Sequence, residues 1–122
     1  MSKIICNSVD YVFSEGVLVI TPESVTLKPG YAWKNLPVKE KPTYSSDTRN
    51  ADAGPIREES VTAVTKFDAD PFLKKHIAYG VVLRMKTDDS IFYVGSDSYP
   101  CMIEVSDDRI TDTFTFESTS TV

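Results

Sequence analysis

The sequence predicts a mainly β domain, an antiparallel sandwich or small barrel of about eight short strands. Three observations predict it. Apolar and polar residues alternate with period two through most of the second half, as in half-buried strands. Turn signals recur about every eight to twelve residues. Helix signals gather in one short stretch near residues 70–76. A length of 122 residues suits a single domain spanning 1–122. A chain of that size buries roughly two thirds of its unfolded surface, enough for a core without disulfides or metal.

Taken in order, Ile4-Ile5-Cys6 and Tyr11-Val12-Phe13 read as strands ahead of a turn at Ser14-Glu15-Gly16. The continuous apolar run Val17-Leu18-Val19-Ile20 is expected as a strand buried on both faces, ended by Thr21-Pro22-Glu23. Val25 and Leu27 then alternate with Thr26 and Lys28 up to a Pro29-Gly30 turn. Residues 37–58 offer almost nothing to a core. That segment is expected as a long polar loop or flexible arm that orders against a partner. Tyr31, Trp33, Leu36 and Tyr44 border or begin it and are the candidate partner contacts, although the same residues also suit one end of the core.

A strand over about 59–67 turns Val61, Ala63 and Phe67 one way and Thr62 and Lys66 the other. Asp70-Pro71 is an N-cap with proline at the first helical position, and Lys74, Lys75 and His76 lie at the cation-favouring end of the short helix that follows. A meander of hairpins comes next. Val81, Leu83 and Met85 alternate with Val82, Arg84 and Lys86, and Asp88-Asp89 turns the chain into Ile91-Phe92-Tyr93-Val94. After a loop over 95–100 come Met102-Ile103-Glu104-Val105, an Asp107-Asp108 turn, and Ile110, Phe114 and Phe116 alternating with Thr111, Thr113 and Thr115. Residues 118–122 are polar and expected to fray.

Charge and chemistry narrow the functional classes. The net charge is −5 and the basic residues are scattered, a poor footprint for nucleic acid or an anionic membrane. No apolar run approaches the ~20 residues of a membrane span. The first residues lack the apolar core of a signal peptide, so synthesis in the cytoplasm is expected. Any Ser-His or Cys-His catalytic unit would have to use His76, the one histidine, which reads as a helix-end residue. Cys6 and Cys101 read as buried thiols whose pairing the sequence leaves open.

One His and two distant Cys do not supply a zinc set. Asp68, Asp70, Asp88, Asp89, Asp97, Asp107 and Asp108 fall at turns and the helix cap, where short acids bond the local backbone. A calcium site or small hydrolase pooled from those loops is the competing reading. Phosphate-binding glycine loops are absent. No catalytic, cofactor or metal site is therefore expected. The leading expectation is a protein that binds protein, including itself, through strand edges and the 37–58 arm. The second is a small ligand-binding module with a pocket between Tyr31, Trp33 and Tyr93.

The stretch from Tyr79 to Phe116 also carries a resemblance. Its Tyr79-Gly80-Val81-Val82-Leu83-Arg84-Met85-Lys86-Thr87-Asp88-Asp89, Phe92-Tyr93-Val94-Gly95-Ser96-Asp97-Ser98-Tyr99-Pro100 and closing Phe114-Thr115-Phe116 resemble short structural proteins of Bacteroides-type phages and prophages. There, a strand pair ends in a Val-Gly-Ser/Thr loop with Tyr-Pro before the next strand. The resemblance implies a virion- or tail-associated component that acts by assembly, with no catalytic residues.

Overall fold

The computed structural model describes residues 2–21, 24–52, 54–96 and 98–121. In chain order the elements are β1 (Ser2–Ile5), β2 (Ser8–Phe13), β3 (Val17–Ile20), β4 (Val25–Leu27), β5 (Lys34–Asn35), β6 (Thr43–Ala51), β7 (Gly54–Lys66), α1 (Pro71–Lys75), β8 (Val81–Lys86), β9 (Ile91–Val94), β10 (Met102–Asp107) and β11 (Thr111–Thr121). The fold class is as expected: mainly β, antiparallel, with one short helix. Among the described residues the sheets do not close into a barrel.

A five-stranded sheet, β1-β6-β7-β11-β10, faces a four-stranded one, β5-β2-β8-β9. Strand alternation sends Tyr44, Val61, Ala63, Ile103, Phe114 and Phe116 inward from the first, and Val9, Tyr11, Leu83, Met85 and Val94 from the second. Burying these side chains is the main term holding the two layers together. The hairpin β3-β4 lies on the other face of the four-stranded sheet, where Val17, Ile20, Val25 and Leu27 cover Val12 and Val82. Residues 9–12 of β2 are in consequence buried on both faces.

Several expectations change. The doubly buried strands are β2 and the start of β8, not Val17–Ile20: Leu18 and Val19 are 56% and 53% exposed, because among the described residues β3 pairs only with β4, across a bulge. The meander is split between layers, β8-β9 in one sheet and β10-β11 in the other, with a single bridge Val81↔Cys101 at the crossing. Phe67 lies beyond the end of β7 and is 40% exposed.

The largest correction concerns 37–58. Only the part before Thr43 is loop, and the rest is the β6-β7 hairpin, turned at Gly54 with φ +112°. Residues 118–121 are likewise the end of β11, paired residue by residue with β7. The physical reason is that β7 lies between β6 and β11 along this stretch. Main-chain ladders on both sides stabilise it without a core. Pro22, Glu23, Ala53, Asp97 and Val122, on which parts of the predicted breaks, loops and tail fall, lie outside the described residues.

Candidate functional site

The end of the β6-β7 hairpin and the end of β11 build a feature of their own. Among the described residues, pairing of β1 with β6 runs to Ser46, and pairing of β10 with β11 runs to Glu117. Past those points β6, β7 and β11 continue as a three-stranded arm. Thr48, Arg57 and Ser120 form a row on one face, while Asp47, Glu58 and Thr119 form a row on the other. Asp47, Thr48, Arg49, Asn50, Arg57 and Thr119 are all exposed, so neither face is covered by the opposing sheet.

Polar contacts fix the arm where it leaves the body. Arg49 Nη2 lies 2.8 Å from Glu58 Oε1. The Tyr44 hydroxyl donates to Glu59 Oε2 at 2.7 Å, and Ser118 Oγ donates to the Tyr99 carbonyl at 2.9 Å. Burial, and then the Glu59 carboxylate that accepts its proton, raise the Tyr44 phenol above its ordinary pKa. Asp47 stands directly across from Glu58, a like-charge juxtaposition.

The four predicted contact residues do not form one surface. Leu36 and Tyr44 are core residues, 1% and 5% exposed, and Tyr44 packs edge-on against Phe92 at 4.9 Å. Burial of their side chains removes them as partner contacts. Trp33 is half-buried, 5.9 Å from Tyr93, with the Arg84 guanidinium 4.9 Å from its ring. Tyr31 is 40% exposed and lies on Gly16, where any Cβ would overlap its ring. Tyr93 lines a shallow open hollow with Ile20, Thr21 and Gly95. That hollow lacks the enclosure that a drug-sized ligand needs.

Sequence reasoning assigned the aspartates to turns, and several are so used. Asp108 accepts from the amides of Ile110 and Thr111 at 2.9 and 2.7 Å, bonds that lower its pKa. Asp70 caps α1 by accepting from Leu73 N at 3.0 Å and also receives the Tyr11 hydroxyl at 2.9 Å. Two carboxylates it passed over matter more. Asp112, 1% exposed, joins Asp68 and Asp107 around Lys74, whose Nζ lies 3.1, 2.9 and 3.6 Å from them. Hydrogen bonds to Asp68 and Asp112, against some desolvation, raise the Lys74 pKa. The Lys74 ammonium occupies the space between these three carboxylates. No group of three or more His, Cys, Asp or Glu suited to a metal ion is found among the described residues.

Asp10 is the second. It is buried within β2 and receives Arg84 Nε and Nη2 at 2.9 and 2.7 Å and Asn35 Nδ2 at 2.9 Å. The signal was available: Asp10 and Arg84 are opposite charges placed inside two apolar strands. His76 is the C-cap of α1, and its Nδ1 donates to the Phe72 carbonyl at 2.7 Å. Cys6 and Cys101 are both free and buried. Burial, with a smaller push from Glu59, takes the Cys101 thiol up to about 12. Comparison with protein families, characterised proteins and solved structures gives no match. Fold and site define a β-sandwich with a structured polar arm.

Proposed function

We propose that the protein works by assembly, as a non-enzymatic binding and structural module whose contact element is the arm. The observation that carries this reading is that β6, β7 and β11 extend past the described residues of their sheet neighbours, with exposed polar side chains on both faces. Open strand edges present unpaired amides and carbonyls and are templates for another chain. A single domain gains little core burial from such a projection, since most of its residues are polar. A virion- or tail-associated role, which the resemblance of the 79–116 stretch to phage and prophage structural proteins implies, is part of this proposal.

Light scattering with size-exclusion chromatography across a concentration series tests it. Mass should rise with concentration above that of a 13.6 kDa chain. A strict monomer at millimolar protein would remove self-assembly.

A further inference from the structure

We propose that the aromatic rings where α1 meets the end of β2 form a binding site for a small methylated ammonium, separate from the arm. Phe72, His76 and Tyr79 are spaced four and three residues apart, which sets them on one side of α1 and the turns that follow it. The His76 amide donates to the Leu73 carbonyl and the Tyr79 amide to the His76 carbonyl, at 3.0 and 3.1 Å, so the spacing is held past the helix end. Phe13 ends β2, and the next amide, Ser14 N, donates to the Gly80 carbonyl at 2.9 Å. The rings of Phe72, His76 and Tyr79 lie 5.9, 6.2 and 6.1 Å from the Phe13 ring, at interplanar angles of 68°, 67° and 80°. They therefore arc around it. With Glu15 they line an open hollow of about 310 Å³, and Phe72 and Tyr79 are 50% and 58% exposed.

The lining selects the ligand. Aromatic faces are negative and attract cations. One ring of the group already holds one: Lys34 Nζ lies 5.1 Å from the Phe72 centroid and 3.4 Å from Asp70 Oδ1. The hollow itself is lined by the Glu15 carboxylate and by no lysine or arginine, and among the described residues Glu15 has no ion-pair partner. A primary ammonium is strongly hydrated and needs acceptors for three N–H groups, which a cup made mostly of rings does not supply. A quaternary nitrogen has no N–H to satisfy, and its methyl groups pack against ring faces while its charge meets Glu15. A phosphocholine head group fits less well, because its phosphate would stand against the same carboxylate. The class is thus a choline-like cation with no anionic group beside the nitrogen.

Nuclear magnetic resonance titration of the whole chain with choline at pH 8, against sodium chloride at equal ionic strength, tests this. Amide shifts at residues 13–15 and 72–80 should saturate with a Kd on the order of 1 mM, the affinity of a few exposed cation–π contacts. The neutral isostere of choline, with carbon in place of nitrogen, should bind at least about threefold more weakly. Tyr79→Leu keeps apolar bulk and removes a ring, and should weaken choline roughly two- to fivefold. Glu15→Gln should weaken it by about the same factor, and Tyr79→Phe should leave it unchanged. Should Tyr79→Leu lose the native spectrum, Glu15→Gln, at an exposed position, carries the test. A neutral isostere that binds as tightly as choline would show that the hollow is only apolar, and the inference fails. It fails equally if no saturable shift appears at these residues below roughly 100 mM choline. Methylammonium binding as well as choline would overturn the preference for a methylated nitrogen.

Discussion

Asp10 shows how one residue couples charge to the packing of a layer. Its burial alone would raise its pKa. The Asn35 and Arg84 hydrogen bonds, and the charges of Arg84 and Lys86, outweigh that and lower it. A carboxyl lowered in the folded state adds stability above the unfolded value near ~3.9, and loses it as pH falls through the folded value. Asp10→Asn should therefore cost about 1–3 kcal/mol at neutral pH, and the gap to the parent should narrow on acidification below about pH 4. Urea unfolding at both pH values measures it, and a gap that widened in acid would contradict the assignment. The two thiols give a second prediction at this scale. Burial raises both, so neither should react with a disulfide reagent at pH 8 until the chain unfolds. Fast labelling of either in the native protein would show that the core opens around it.

At the scale of elements, what could be read from sequence depended on where each element's stability comes from. Helix α1 was legible because its cap is local: Asp70, Pro71 and Leu73 lie within one turn. Five residues do not hold a helix alone, so the cap and the buried Leu73 stabilise it. Asp70→Ala should cost about 2 kcal/mol, since it removes the cap and also strands the buried Tyr11 hydroxyl. It should also lower the Tyr11 pKa, now raised by burial and by that same carboxylate. Ultraviolet titration reads this second effect, and an unmoved phenol would show that Asp70 is not its partner. Strand β8 was legible through its alternation, and Val81, Leu83 and Met85 do face the core. The arm was not, because main-chain pairing forms it and leaves no apolar pattern. Within 37–58 the expectation of a loop missed the β6-β7 hairpin, and two of the four candidate contacts, Leu36 and Tyr44, are core residues.

For the whole molecule, charge and edges act against each other. Copies with a net charge of −5 repel, whereas main-chain hydrogen bonds between strand edges, the contact expected in the assembly proposed above, would not depend on ionic attraction. Added salt should then strengthen association, because screening shortens the reach of repulsion to roughly 8 Å at physiological ionic strength. Sedimentation velocity between low and moderate salt distinguishes the cases. Dissociation by salt would mean that ion pairs, not strand pairing, join the copies.

The pairing of β2 with β8 has a kinetic consequence. Tyr11 lies opposite Leu83, so the second layer lacks its central contact until most of the chain exists. Pairings so distant in sequence close slowly, on the millisecond-to-second scale of sandwich folds. The β6-β7 hairpin, by contrast, needs only neighbouring residues and closes in microseconds. During synthesis the hairpin that carries most of the arm can therefore form long before the core beneath it. A nascent chain then exposes this hairpin on an unfinished body, and in the assembly proposed above crowded ribosomes on one message would be the first place for copies to meet.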